Sequence, residues 1–249
     1  MSLSIEQGAE IMNRLREAIA ARIVGQDAAI DDVLVTFLAR GHLLLEGVPG
    51  TAKTLLVRTL ASALGVRFMR VQFTPDLMPS DLTGIAIYRD AARGFEFQPG
   101  PVFTDLLLGD EINRAPAKTQ SALLEAMSER QVSTDGISRP LDTLFTVFAT
   151  QNPVEHEGTY PLPEAQLDRF LLKTMMGYPS REAELEMLAH HEAGFNPEMS
   201  TTELAQPVLT VPEAVALRSL ADTVRVAPEV MEYITNITRA TREESALSL

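Results

Sequence analysis

Apolar residues in this chain recur with two different periods. Ile11, Leu15, Ala18 and Ile19 fall at helical spacing within 9–22 and predict an opening amphipathic helix. A short apolar run at 42–46 then stops at Gly47 and reads as a buried strand. Helical spacing returns at 54–64. Strand, glycine loop and helix in that order open a parallel α/β sheet. Further apolar runs follow at 68–73, 106–109, 144–149 and 170–175, with a helical stretch at 118–129 among them. Five short buried strands separated by helices predict a doubly wound parallel sheet.

Two stretches depart from that rhythm. Between 81 and 101, Ile85, Ile87 and Tyr88, then Phe95 and Phe97, flank a polar turn at 90–94, the pattern of an inserted hairpin. Thr134-Asp135-Gly136 signals a second hairpin. At Tyr178-Pro179-Ser180 proline closes one element and Ser180 can cap the next. The chain is therefore expected to divide into an α/β domain at 1–178 and a helical domain at 179–249. Helices are expected at 181–191, 212–223 and 228–241, with a loop at 194–211. No internal repeat and no low-complexity segment interrupts this organisation.

Composition narrows the function classes. The 249 residues are 45% hydrophobic, enough for a sizeable core, and include no cysteine, which excludes disulfides and thiolate metal sites. No apolar run approaches the ~18 residues of a membrane span, and the charged opening helix does not resemble a secretion signal. A cytoplasmic address is the expectation. The net charge of -13 repels phosphate backbones and argues against a nucleic-acid partner. With four scattered histidines, no dedicated protein metal site is expected. His42 reads as packed beside the sheet, and His190-His191 as cations closing a helix.

Gly47-Val48-Pro49-Gly50-Thr51-Ala52-Lys53-Thr54 carries the strongest chemical signal. Glycines let consecutive backbone N–H groups turn onto an anion, a lysine reaches the β/γ-phosphates and a hydroxyl ligates Mg²⁺, all at a helix N-terminus. Ala52 stands where a glycine is usual, and is expected to fit if its backbone is already helical. The apolar run at 106–109 ends in Asp110 and Glu111, placing one carboxylate near the metal and the other beside an attacking water. Asn152, after the run at 144–149, is a candidate to hold that water or the γ-phosphate. Arg169, in Leu167-Asp168-Arg169-Phe170, is the remaining candidate. By itself such an arginine is usually a surface ion pair.

Taken in order, these stations resemble an AAA+ ATPase of the MoxR type. The likeness is carried by Leu45 to Thr54, by Asp110-Glu111-Ile112-Asn113-Arg114-Ala115-Pro116, and by the run from Glu157 to Phe170. The resemblance implies a P-loop α/β domain with a hairpin insert in helix 2, followed by an all-α lid, with ATP and Mg²⁺ between them. It implies Lys53 and Thr54 as the Walker A pair, Asp110 and Glu111 as Walker B, and Asn152 as sensor 1. Thr54 and Asp110 would hold Mg²⁺, the latter through water. Arg169 matches the finger that reaches a neighbour's ATP in a ring, expected to be hexameric. Val24-Gly25-Gln26 matches the segment lying against adenine. Family members resemble chaperones that remodel client proteins or assist metal-centre assembly, often beside a von Willebrand factor A-domain protein. The family's Gly-x-Ser-Pro-Arg-like sensor 2 segment is not found, so the lid is expected to be incomplete at its C-terminal end. A DNA-linked motor and a nucleotide-gated scaffold are the competing function classes.

Overall fold

The structure, a computed structural model, describes residues 3–90, 94–153, 160–194 and 207–244. Five strands form one parallel sheet: β1 (Leu43–Glu46), β2 (Phe68–Gln72), β5 (Leu106–Asp110), β8 (Thr146–Gln151) and β9 (Leu172–Met175). Their order across the sheet is β2-β5-β8-β1-β9. The three inner strands are almost wholly buried, whereas β2 and β9 lie at the edges and are partly exposed. That is why the inner strands read as unbroken apolar runs.

Alternation along these strands sorts their side chains into two cores. Leu43, Leu45, Leu106, Leu108 and Phe148 face α1 (Ile5–Ala20), α2 (Asp27–Leu38) and α3 (Lys53–Leu64). Leu44, Leu107, Val147 and Ala149 face the opposite layer, where α5 (Ala117–Glu129) supplies Leu123, Leu124 and Met127. The first helix begins earlier than its apolar spacing suggests, because Ser4 and Gln7 form a capping box ahead of Ile11, Leu15 and Ile19. Helix α2 is an addition to the sequence reading. It is apolar on so many sides that no single stripe stands out, and Ile30, Val33, Leu34 and Phe37 are all buried.

Strand β8 starts two residues later than its apolar run. Leu144 and Phe145 belong to the preceding turn, where Phe145 N–H donates to Asp142 O, and they are buried without joining the sheet. Both hairpins are present. After the short α4 (Pro79–Thr83), β3 (Gly84–Asp90) pairs antiparallel with β4 (Gly94–Pro99), and β6 (Gln131–Thr134) pairs with β7 (Ile137–Pro140). The guanidinium of Arg139 lies 3.8 Å over the Phe97 ring, so the two hairpins touch.

Beyond β9, the side chain of Ser180 caps α7 (Arg181–Glu192) by accepting from Ala183 N–H. Helix α8 (Val211–Ala221) turns back onto α1 and α2. Leu217 joins their core, and buried Arg218 stacks 4.1 Å over Phe37 while donating to Thr143 O and Thr146 Oγ1. Helix α9 (Pro228–Glu243) buries no residue and displays Val230, Ile234 and Ile237 along one face. Most of the expected loop at 194–211 lies outside the described residues.

His42 fits the packing expectation. Its Nδ1 accepts from Val147 N–H at 2.9 Å, Nε2 lies 3.3 Å from Met127 O, and its ring meets Phe145 edge-on. Burial, aided by the charge of Arg130, pushes its pKa down to about 4. An unfolded histidine titrates near ~6.5. The unfolded chain therefore takes up this proton first as pH falls, and stability is lost between about pH 6.5 and 4. The loss should reach about 3 kcal/mol from this group. Urea midpoints across that range should fall more steeply for the parent than for His42→Gln, and parallel curves would remove the assignment.

Candidate active site

The glycine loop sits between β1 and α3, at the carboxyl end of the sheet. Its entrance is pinned on both sides: Gly47 N–H donates to Gln151 O, and Met176 N–H donates to Glu46 O. A Cβ on Gly47 would lie 2.3 Å from Met176 O, so only glycine allows this approach. Gly50 takes a φ of 86°, and a Cβ there would meet nothing within 4 Å. Ala52 fits without the helical backbone that would have made alanine easy there: it adopts φ 63° and ψ 18°, the left-handed conformation glycine takes at little cost. Alanine tolerates it because its side chain ends at Cβ, and the turn sets Lys53 at the first position of α3.

Residues 49–54, Asp110, Glu111 and Asn152 line one cavity of about 1210 Å³. Lys53 Nζ donates to Gly47 O at 2.6 Å and to Val48 O at 2.8 Å. Burial draws its pKa below the ordinary lysine value, opposed in part by Asp110 and Glu111. The Thr54 hydroxyl lies 3.4 Å from Asp110 Oδ2. Asp110 Oδ1 accepts from Thr150 Oγ1 at 2.5 Å, and that same Oγ1 accepts from Glu111 N–H at 2.9 Å. Glu111 also takes a left-handed backbone, φ 58° and ψ 51°, which turns the chain sharply where the strand ends. Such a conformation costs of order 1–3 kcal/mol in a non-glycine residue and tends to mark functional sites. Asn152 is buried at the end of β8.

The remaining candidates lie elsewhere. Gly25 and Gln26 do not line the cavity; Arg22, Ile23 and Val24 do. Gly25, at φ 75°, lies against α7, where a Cβ would come 2.7 Å from Ala183 Cβ. Gln26 Nε2 donates to Gly177 O at 2.9 Å. Gly25 therefore packs against the start of α7 and Gln26 ties to the segment before it, while Val24 of the same run lines the cavity beside Ile23. Arg169 is exposed, bonded to Ser128 Oγ on α5, and likewise does not line the cavity of its own chain. Of the run from Glu157 to Phe170, residues 157–159 lie outside the described residues.

Sequence reasoning passed over several neighbours. Arg58 and Arg70 line the cavity, so with Arg22 and Lys53 four cations converge there in a chain of net charge -13. Tyr178, Pro179, Met187 and Leu188 form an apolar wall opposite the loop. Thr54 and Asp110 are hard oxygen ligands on one side of the cavity, and that pair fits a magnesium ion completed by phosphates and water. Among the described residues no group of three or more His, Cys, Asp and Glu gathers as an all-protein alternative.

Residues 42–172 match the model of the ATPase family associated with various cellular activities (AAA). The chain is 48% identical over 227 residues to Chaperone MoxR1 of Mycobacterium tuberculosis, covering 91% of this chain and 58% of that one. The chain belongs to the MoxR family of AAA+ ATPases. It is also 49% identical over 216 residues to the uncharacterised protein YeaC of Bacillus subtilis, across 87% of this chain and 66% of the relative. A crystal structure of a candidate ATPase from Cytophaga hutchinsonii superposes with a TM-score of 0.82 at 43% identity, covering 95% of this chain and 71% of that one. The chain thus spans less than two thirds of the length of these two curated relatives. Membership accounts for the P-loop fold. No helix among the described residues is long and apolar enough to cross a membrane.

Proposed function

We propose that this MoxR-family chain binds ATP in the described cavity, hydrolyses it with magnesium, and uses the cycle to remodel client proteins as a subunit of a ring. The observation that carries the reading is the meeting of Lys53 and Thr54, at the N-terminus of α3, with Asp110 and Glu111 in one cavity rich in cations. A polyanion is the ligand such a cavity favours. Lys53 would exchange the carbonyls of Gly47 and Val48 for phosphate oxygens, joined by the loop's N–H groups. Thr54 and Asp110 would hold magnesium, which supplies charge neutralisation across the phosphates. Ile23, Val24, Pro179, Met187 and Leu188 offer a face for a purine base.

In the proposed step Glu111 accepts a proton from water as the water oxygen attacks the γ-phosphorus. The bond to the β–γ bridging oxygen breaks, leaving ADP and phosphate. Asn152 would orient that water. Arg169, which does not line the cavity of its own chain, would serve the site of a neighbour. Helix α7 both lines the cavity and begins the helical region, so a bound nucleotide would touch both parts of the chain. The client role is carried by the chaperone name of the mycobacterial relative and by the family resemblance. Assistance to a metal centre and a von Willebrand factor A-domain partner are narrower forms of the same proposal.

Lys53→Ala tests the site directly. Among the motif's residues Lys53 is the only cation, so the variant should lose nucleotide affinity in a fluorescent-nucleotide titration while melting near the parent's temperature. Unchanged affinity and turnover would sink the P-loop assignment.

A further inference from the structure

Edge strand β2 runs parallel to β5 with Gln72 opposite Asp110. Side chains two apart on a strand share a face, so Arg70 and Gln72 project together toward the carboxylates that end β5. Arg70 donates to Asp110 from Nε at 3.1 Å and from Nη2 at 2.5 Å, both to the single oxygen Oδ2. Nη2 also donates to Gln72 Oε1 at 3.1 Å, and Gln72 Nε2 donates to Glu111 Oε2 at 2.6 Å. A continuous line of hydrogen bonds therefore joins Asp110 to Glu111 by way of the neighbouring strand.

Oδ2 is also the oxygen facing the Thr54 hydroxyl, while Oδ1 is engaged by Thr150. A divalent cation entering between Thr54 and Asp110 meets an oxygen already committed to a guanidinium. Two cations at one carboxylate oxygen repel each other. The Arg70 side chain is 43% exposed against 11% for Asp110, so water screens the pair from the arginine's side. A hard divalent ion with phosphate co-ligands is the stronger competitor.

We propose that Arg70 is a positioning residue that holds Asp110 and Gln72 until magnesium and nucleotide bind. This rests on the reading of Asp110 as the metal-side carboxylate. It adds that a cation from β2 competes with the metal for the same Asp110 oxygen.

The test reads metal binding, not turnover. Mn²⁺ is titrated into the protein–ADP complex and the free ion is counted by electron paramagnetic resonance. Arg70→Met should tighten Mn²⁺ about fivefold, the upper range for a partly exposed pair of good geometry. Arg70→Lys keeps the charge but lacks the fork, and should tighten it by a smaller factor. It also keeps the test open should Arg70→Met fail to fold. Arg114→Met removes an equal charge paired with Glu111, not Asp110, and should leave the affinity near the parent's. In the parent, the Arg70 Nε–H resonance, identified by its loss in Arg70→Lys, should move with ADP plus Mg²⁺ and stay in place with ADP plus chelator.

Equal or weaker Mn²⁺ binding by Arg70→Met, equal tightening by Arg114→Met, or a resonance indifferent to Mg²⁺ would each overturn the proposal. Asp110→Asn separates the two levels. If Asp110→Asn leaves Mn²⁺ affinity unchanged, the metal-site reading fails first. If it weakens Mn²⁺ while Arg70→Met changes nothing, only the role of Arg70 fails.

Discussion

Arg169→Ala is expected to lower ATP turnover by about 10³–10⁵ while leaving nucleotide affinity close to the parent's. The size follows from the role proposed for it, a cation that meets charge developing on the γ-phosphate. The unchanged affinity follows from position. Arg169 is exposed, bonded to Ser128, and lies outside the cavity formed by residues 49–54 and Asp110 of its own chain. In the proposed ring, an arginine so placed would serve the phosphates of a neighbouring subunit. Mixtures of Arg169→Ala and Lys53→Ala subunits should therefore recover turnover that neither has alone, because some neighbours form one intact site. Subunits that demonstrably exchange but show no recovery would exclude Arg169 as a finger acting in trans.

Glu111→Gln should behave differently, with turnover reduced by about 10²–10⁴ and ATP retained unhydrolysed on the protein. The amide oxygen can still accept from Gln72 Nε2, so the local hydrogen bond survives, but the group no longer takes a proton. The Arg114 pairing loses its charge and, at the exposed edge, costs little. Acid quench followed by chromatography of the bound nucleotide distinguishes this variant, with ATP bound, from Lys53→Ala, with none. Parental turnover by Glu111→Gln would mean that the proton goes elsewhere.

The glycine loop was legible because its chemistry acts within eight consecutive residues. Backbone turn, lysine and hydroxyl each have to occur at a fixed offset from the helix start. The two carboxylates were legible for a related reason, since a strand's end is visible where its apolar run stops. Residue type alone left the backbone at Ala52 open, and the loop sets it left-handed. Of the segment Val24-Gly25-Gln26, Val24 lines the cavity and the other two do not. Gly25 packs against Pro179 and Ala183 and Gln26 donates to Gly177 O, contacts with residues more than 150 positions away that no local pattern announces.

Local order, then, was in the sequence. Apolar runs of four to six residues specify buried strands, helical spacing specifies most of the helices, and a cap at Ser180 marks where the helical region starts. These are short-range constraints, set by backbone geometry and by which faces exclude water. Strand order is a different kind of fact. Nothing in the periodicity of β2 says that it lies beside β5, and only that adjacency brings Arg70 to Asp110 and Gln72 to Glu111. The same holds for α8, whose buried Arg218 reaches the turn before β8 and its first residue, Thr146, 72 residues back in the chain. Contacts between segments so far apart are chosen by how the two cores pack on either side of the sheet. The tertiary structure alone therefore decided which cations share the cavity, and which residues stand behind the two carboxylates.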